Sequence, residues 1–181
     1  MRTFIGSLPN RRNFVRGRFT LEIGYPWITP GSIMALEEIL NKEMEVLEFG
    51  CGGSTVFFAN RVKTIKSFET DFTWYTNTKK IADQSLNNID LTCGTMQLFI
   101  AFIESEPDNK YDIVLIDSDP KVTNRLEIAK AVVPKVKPSG WIVVDNYERW
   151  GLGRFRPEGW KIYTYDDIRW NGGGTRLYRK G

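Results

Sequence analysis

Short, nearly uninterrupted apolar runs alternate along this chain with segments of helical periodicity. The clearest runs cover residues 111–117 and 141–145, and a segment of helical spacing lies between them. A run of this length is typical of a strand that is buried on both faces, and helices between successive strands favour a parallel sheet. The pattern therefore predicts an α/β fold with a doubly wound, mostly parallel sheet.

The remaining elements follow from spacing and from turn residues. Thr29 and Pro30 are typical of a helix start, Asp71 is expected to cap another helix, and Pro134 must end a later one. We predict strands over residues 46–49, 62–68, 89–93, 111–117 and 141–145, and helices that include 33–40, 56–59, 74–86, 98–103 and 126–133. A turn is expected at 138–140. After a loop over 147–158, we predict an antiparallel pair, 160–165 and 175–179, joined by 166–174.

Length and charge divide the chain into an arm and a body. The 181 residues suit one domain. Residues 1–20 contain five arginines and no acid, so the rest of a chain with net charge +3 carries −2. We therefore predict a basic N-terminal arm over 1–24 and a single domain over 25–181. The arm is either a solvated tail or a clamp on the phosphates of a substrate or a nucleic acid.

Composition excludes several classes of protein. The chain has no histidine, which excludes Ser-His-Asp and Cys-His catalysis and His-ligated metal sites. Two cysteines, Cys51 and Cys93, provide neither a disulfide framework nor a Cys₄ metal site. No apolar stretch approaches the roughly 18 residues of a membrane span, and the N-terminus lacks the apolar run of a signal peptide. We expect a cytoplasmic protein that does not bind a membrane.

The most informative segment is a glycine-rich turn between the first strand and the next helix. It contains Gly50 and Gly52, where the absence of Cβ allows a tight turn and a close approach to a ligand. The dinucleotide-binding pattern G-x-G-x-x-G would require glycine at position 55, which is Thr55. Glu48 would repel a diphosphate and attract an ammonium group. The turn therefore favours a positively charged ligand.

A second carboxylate indicates a ribose in the same ligand. Glu69 ends the second strand, 19 positions after Gly50, and adjacent parallel strands bring their carboxyl ends to one crevice. A carboxylate in that place can accept hydrogen bonds from both ribose hydroxyls. S-adenosylmethionine combines an ammonium group, a sulfonium and a ribose, so we predict that it is the cofactor.

With these motifs in order, residues 26–146 resemble a class I S-adenosylmethionine-dependent methyltransferase. The matching segments are 48–55, 68–71, 111–117 and 136–146. The resemblance implies a seven-stranded sheet whose last strand is antiparallel. It also implies that Gly50 and Gly52 lie against the amino acid part of the cofactor, that Cys93 and Gly94 border its adenine, and that Asp117 lies near the methyl group. Our predicted cofactor-binding set is Glu48, Gly50, Cys51, Gly52, Ser54, Thr55, Glu69, Thr70, Cys93, Gly94 and Asp117.

Polar residues at the ends of two later strands are candidates for catalysis. Asp117 ends one strand, and Asp145 and Asn146 end the next. Their oxygen atoms suit Mg²⁺, and the arrangement resembles the metal site of catechol and caffeoyl-coenzyme A O-methyltransferases. Without a metal, we expect Asp117, Asp145 or Lys121 to remove the proton of the acceptor.

These features together predict an enzyme that transfers a methyl group to a small molecule, with oxygen as the acceptor atom. Tyr25 and Trp27, and the aromatics and arginines of 147–156, are expected to roof the crevice and to suit an aromatic or anionic substrate. Because this roof is small, a homo-oligomeric partner is expected to complete it. The alternatives are a nucleic-acid or protein methyltransferase that uses the arginine-rich arm, an NAD-binding oxidoreductase, and a non-catalytic cofactor-binding subunit.

Overall fold

The computed structural model describes residues 21–166 and 173–181 and contains one seven-stranded sheet. Its strands are β1 (Glu45–Phe49), β2 (Thr64–Glu69), β3 (Ile89–Cys93), β4 (Tyr111–Ile116), β5 (Val136–Asp145), β6 (Lys161–Tyr165) and β7 (Thr175–Arg179). They lie in the order β3-β2-β1-β4-β5-β7-β6, and the first five are parallel. β7 pairs antiparallel with β5 and with β6. This confirms the predicted sheet and its C-terminal antiparallel pair.

Helices cover both faces of the sheet, as a doubly wound topology requires. They are α1 (Pro30–Ile39), α2 (Gly53–Ala59), α3 (Phe72–Ser85), α4 (Met96–Ser105) and α5 (Arg125–Ala131). Short 3₁₀ turns cover Val133–Lys135 and Leu152–Arg154. Residues of α1 and α2 pack on one face, and residues of α4 and α5 pack on the other.

The central strands divide their side chains between two cores. In β4, Ile113 and Leu115 join the cluster under α1 and α2, while Val114 and Ile116 join the cluster under α4 and α5. The alternation arises because successive side chains of a strand point to opposite faces. Burial on both faces explains why this strand is almost wholly apolar.

The predicted helix starts at Thr29 and Asp71 are confirmed, whereas the turn predicted at 138–140 is not. Thr29 is the N-cap of α1 with Pro30 at its first position, and the Asp71 side chain accepts a hydrogen bond from the Trp74 N–H at the start of α3. The turn predicted at 138–140 lies inside β5, where Ser139 has φ = 63° and the register with β4 shifts. Pairing with β4 continues past this irregularity, where β5 advances from Val136 to Trp141 while β4 advances only from Tyr111 to Ile113. A sheet can absorb extra residues in one strand as a bulge.

Two predicted segments lie partly outside the described residues. These are the basic arm, of which residues 1–20 are not described, and the 166–174 connection, of which 167–172 are not described. In the described part of the arm, Leu21 is buried. Within 21–166 and 173–181, no helix is long and apolar enough to cross a membrane.

Candidate active site

A cavity of about 420 Å³ opens at the carboxyl ends of the central strands. From β1 the chain moves outward to β2 and β3, then crosses back to β4 on the other side of β1. Such a switch in strand order leaves a crevice where open α/β sheets bind ligands. The described lining residues are Trp27, Gly50, Cys51, Gly52, Gly53, Ser54, Glu69, Asp71, Trp74, Asp117, Asp119, Pro120, Asp145 and Asn146.

The two glycines of the turn differ in what they make possible. Gly50 has φ = 103°, and a Cβ there would lie 2.6 Å from the backbone carbonyl of Asp117. Position 50 therefore requires glycine because the end of the neighbouring strand lies so close. We had expected the ligand to impose that requirement. At Gly52 the nearest atom to an added Cβ is 3.8 Å away, on the Trp74 ring. The second glycine therefore leaves space on the cavity side of the turn.

Glu69 connects the glycine turn to the start of α3. Its Oε2 accepts a hydrogen bond from the Cys51 N–H at 2.9 Å. Its Oε1 accepts from the N–H groups of Thr70 (2.7 Å) and Asp71 (2.8 Å). The carboxylate is buried at the cavity wall, and three amides fix its orientation. Each carboxylate oxygen can accept further hydrogen bonds, so this group can still receive hydroxyl donors of a ligand.

Glu48 is buried beneath the turn and is not among the described residues that line the cavity. Its side chain is fully buried, and its Oε2 accepts hydrogen bonds from the hydroxyls of Thr55 (2.6 Å) and Ser67 (2.5 Å). Thr55 Oγ1 in turn accepts from the Gly52 N–H. Burial raises the pKa of Glu48 to about 7, because it disfavours the charged form. This residue shapes the turn through Thr55.

Asp117 and Asp145 both line the cavity, and a buried arginine lies beside them. Arg125, which is 4% exposed, donates to Asp117 Oδ1 at 3.0 Å. It also donates to the carbonyl oxygens of Asp117, Ser118 and Asp145, so it joins the ends of β4 and β5. The ring of Trp150 lies 4.9 Å from its guanidinium carbon. The strand ends are therefore held by one fixed positive charge.

The two aspartates differ in their tendency to hold a proton. Burial raises the pKa of Asp117 to about 6, and the Arg125 guanidinium opposes that rise. Burial raises the pKa of Asp145 well above its ordinary value, and the charge of Asp117 raises it further. Environments that separate the pKa values of two neighbouring carboxyl groups are typical of sites that move protons. With a pKa of about 6, Asp117 is ionised at neutral pH, and Asp145 holds a proton more tightly than an ordinary aspartate does.

A chain of hydrogen bonds joins Asp145 to the segment before α1. The Thr175 hydroxyl donates to Asp145 Oδ1 at 2.9 Å, and its oxygen accepts from the Thr29 N–H at 3.1 Å. Trp27, two residues earlier, contributes its indole to the cavity wall. The antiparallel strand β7 thus brings the start of the domain beside the end of β5.

The structure brings together part of the predicted site. Gly50, Cys51, Gly52, Ser54, Glu69, Asp117, Asp145 and Asn146 line the cavity, whereas Thr55, Thr70, Cys93, Gly94 and Lys121 are not among its described lining residues. Lys121 is exposed in the loop after β4, where its N–H donates to Asp119 Oδ1. Burial raises the pKa of the Cys51 thiol, which agrees with a small residue in a tight turn and not with a nucleophile.

The expected roof is only partly present at the cavity. Trp27 lines it, but Phe155 is buried against Tyr178, and Tyr25 packs against Phe57. None of the arginines of 147–156 is among the described lining residues. Phe155 and Tyr25 thus pack on the body of the domain, and Arg149, Arg154 and Arg156 are exposed.

Sequence reasoning did not assign several residues to the site. They are the lining residues Gly53, Asp71, Trp74, Asp119 and Pro120, and Arg125 beside the cavity. Arg125 shares its helix face with Ile128, Ala129 and Val132, which are buried, and an arginine at that spacing is a usable signal of a buried charge. Trp74 and Asp119 follow strand ends by a few residues, and only the fold turns them toward the crevice.

Comparison with known proteins agrees with this geometry. A family model described as a methyltransferase domain matches residues 47–147. Comparison with curated protein sequences gives no match.

Among solved structures, an O-methyltransferase from Bacillus cereus in complex with S-adenosylhomocysteine (SAH) has a TM-score of 0.73 at 15% identity, covering 97% of this chain and 94% of that chain. An rRNA methylase from Streptococcus thermophilus has a TM-score of 0.64 at 16% identity, covering 83% and 93%. A methyltransferase from Geobacter sulfurreducens has a TM-score of 0.64 at 16% identity, covering 90% and 85%. At such identities the likeness concerns the fold. Because the family match spans more than half of the chain, this chain belongs to the family of methyltransferase domains, with the class I S-adenosylmethionine-dependent methyltransferase fold.

Proposed function

We propose that the protein transfers the methyl group of S-adenosylmethionine to an oxygen atom of a small molecule. The observation that carries this proposal is the cavity at the glycine turn, where Glu69 is held by three backbone amides and no described lining residue is basic. The charged side chains that a diphosphate would meet among the described lining residues are all carboxylates, whereas a sulfonium and an ammonium are attracted to carboxylates. The same argument disfavours an NAD-binding oxidoreductase.

The residues present fit the cofactor. Glu69 accepts the ribose hydroxyls, the turn from Gly50 to Ser54 holds the amino acid part, and the Trp74 ring covers the open side of Gly52. Bound S-adenosylmethionine supplies an electrophilic methyl group that an in-line nucleophile can displace from sulfur. The cavity contributes by aligning the acceptor with that methyl group, which converts binding energy into rate.

Asp117 is the proton acceptor that best suits an oxygen nucleophile. Its carboxylate faces the cavity and lies against Arg125, which favours the charged form, while Asp145 Oδ1 accepts a hydrogen bond from the Thr175 hydroxyl. The acceptor hydroxyl gives its proton to Asp117 as its oxygen attacks the methyl carbon, and the electrons of the broken carbon–sulfur bond remain on sulfur. We assign no role to Lys121, which is exposed in the loop after β4.

The predicted magnesium site is not part of this proposal. Asp117, Asp145 and Asn146 provide two acids and one amide, and among residues 21–166 and 173–181 no group of three His, Cys, Asp or Glu side chains is placed to hold a metal. Arg125 already contacts Asp117 at 3.0 Å, so a divalent cation would meet a fixed positive charge. These donors do not fit the ion well, and we derive no step through it.

Calorimetric titration with SAH and with NAD⁺ tests the proposal. We expect SAH to bind in the micromolar range and NAD⁺ not to bind. Binding of NAD⁺ without binding of SAH would overturn it. A truncated protein that begins at residue 21 tests the alternative of a nucleic-acid methyltransferase: loss of salt-dependent RNA binding with unchanged SAH affinity would favour that alternative.

A further inference from the structure

The charged side chains among the described lining residues of the cavity are all acidic. They are Glu69, Asp71, Asp117, Asp119 and Asp145. Arg125 contacts Asp117 at 3.0 Å from the side of α5 and is not among the described lining residues. The interior of the cavity therefore has a strongly negative potential toward any ligand.

The cavity has two sides, and each has a tryptophan. Trp74 lies next to Gly52, so it belongs to the cofactor side together with Glu69 and Asp71. Trp27 lies two residues before Thr29, whose N–H is joined to Asp145 through the Thr175 hydroxyl, so we place Trp27 on the opposite side. Both indoles are 37% exposed. An aromatic face left open on a cavity wall is a binding surface for a flat or cationic group.

The cofactor does not neutralise this charge. S-adenosylmethionine carries a sulfonium, an ammonium and a carboxylate, a net charge of about +1, and meets Glu69 and Asp71 on its own side. On the far side, Asp117, Asp119 and Asp145 face the acceptor with Arg125 as their partner. Burial raises the pKa of both Asp117 and Asp145, and the charge of Asp117 raises that of Asp145 further. A nearby cation would favour the charged forms of both groups.

We propose that the methyl acceptor carries an ammonium or similar cationic group, which stacks on Trp27 and pairs with Asp119 and Asp145. This inference rests on the proposed function and names the class of its substrate. It replaces the anionic substrate that the arginines of 147–156 suggested, because those arginines do not line the described cavity. Cation–π contact and charge pairing act together at such a surface.

Two phenols of similar size and opposite charge, tyramine and hydroxyphenylpropionate, test the proposal. Each is titrated into the SAH-saturated full-length protein by calorimetry. We expect tyramine to bind about tenfold or more tightly than the acid, with an affinity that falls as salt increases. Equal affinities, tighter binding of the acid, or no binding of tyramine to the SAH complex would overturn the proposal. Failure of SAH itself to bind overturns the proposed function instead.

Single substitutions test which residues cause the preference for tyramine over hydroxyphenylpropionate. Asp119→Asn keeps a side-chain oxygen for the Lys121 N–H and removes only the charge, so we expect it to reduce the tyramine preference several-fold without changing SAH affinity. Trp27→Leu removes the ring and has the same expected effect. Asp83→Asn, on the exposed side of α3 where it pairs with Lys79, is the control. Asp83→Asn should keep the preference of the unmodified protein for tyramine. If Asp119→Asn and Trp27→Leu also keep it, the assignment of Trp27 and Asp119 is wrong.

Discussion

At the scale of single residues, Glu69 is the strongest candidate for cofactor recognition. Its carboxylate is charged, buried at the cavity wall and held by three amides. A hydrogen bond to a charged group contributes about 1.5–3 kcal/mol. Glu69→Ala should therefore weaken SAH binding by about tenfold to a hundredfold in calorimetry. Unchanged affinity would show that the ribose lies elsewhere, and Asp83→Ala provides a surface control.

Arg125 should set the pH dependence of the reaction. Its guanidinium lowers the pKa of Asp117, which must be ionised to accept a proton. In Arg125→Met that pKa should rise, moving the acid limb of the kcat/KM profile toward higher pH by about one unit. Arg125→Lys keeps the charge and should restore much of the profile.

Comparing Arg125→Lys with Arg125→Met also separates an effect on the pKa of Asp117 from a loss of folding stability. Removing one partner of a buried pair costs about 3–5 kcal/mol, so both variants are first compared by thermal unfolding. If the Met variant is folded and its acid limb coincides with that of the unmodified protein, Arg125 acts only as a structural cross-link between β4 and β5.

Glu48 makes the stability of the fold depend on pH. Its pKa is raised from 4.5 to about 7, so the folded state retains a proton that the unfolded state loses as pH rises through this window. Stability from this group is present below pH 4.5 and is lost by pH 7, a change of about 3 kcal/mol. Glu48→Gln does not titrate.

The difference in the free energy of unfolding between the unmodified protein and Glu48→Gln isolates the contribution of the Glu48 carboxyl group. Denaturant unfolding between pH 4.5 and 8 should show the unmodified protein losing about 3 kcal/mol relative to the Gln variant. Parallel curves for the two proteins across that range would contradict the assignment.

At the scale of elements, backbone hydrogen bonds tie the start of the turn between β1 and α2 to both neighbouring strands, β2 and β4. The Gly50 N–H donates to the Phe68 carbonyl, and the Asp117 N–H donates to the Phe49 carbonyl. A Cβ at Gly50 would lie 2.6 Å from the Asp117 carbonyl, which belongs to another strand end and cannot rotate away. This contact explains why the first glycine of the turn tolerates no side chain.

Two glycines with positive φ give a matched test. Gly159 has φ = 75° and no atom within 4 Å of an added Cβ, so Gly159→Ala should cost only the left-handed conformation, about 1–2 kcal/mol. Gly50→Ala adds the backbone clash and should cost about 3 kcal/mol or more. Equal losses in denaturant unfolding would mean that the turn can move away from β4.

At the scale of the whole molecule, the cavity is formed by segments from across the chain. Its walls come from the segment before α1, the turn after β1, and the ends of β2, β4 and β5. A ligand there contacts both halves of the sheet, so it should stabilise the fold as one unit. SAH at a hundred times its Kd should add about 2.7 kcal/mol to the free energy of unfolding.

Thermal unfolding measures this directly. For a chain of this size the gain corresponds to a rise in Tm of about 5–11 °C in a single transition. NAD⁺ at the same concentration is the control and should leave Tm unchanged. A rise with NAD⁺ and none with SAH would contradict the cofactor assignment.

The sequence by itself determined the alternation of elements and the identity of the turn. Apolar runs such as 111–116, the cap at Asp71 and the glycines at 50 and 52 act through neighbouring residues, and such local signals are legible in a linear sequence. It also placed Glu69, Asp117 and Asp145 at strand ends, which parallel topology brings to one edge.

Only the tertiary structure decided which side chains meet there. Arg125 reaches Asp117 because α5 packs against the end of β4, and Thr29 is joined to Asp145 because Thr175 of β7 lies beside β5. It also showed that Glu48 lies under the turn and that the arginines after β5 do not line the described cavity. These contacts join residues far apart in sequence, and they depend on how whole elements pack, which no local pattern records.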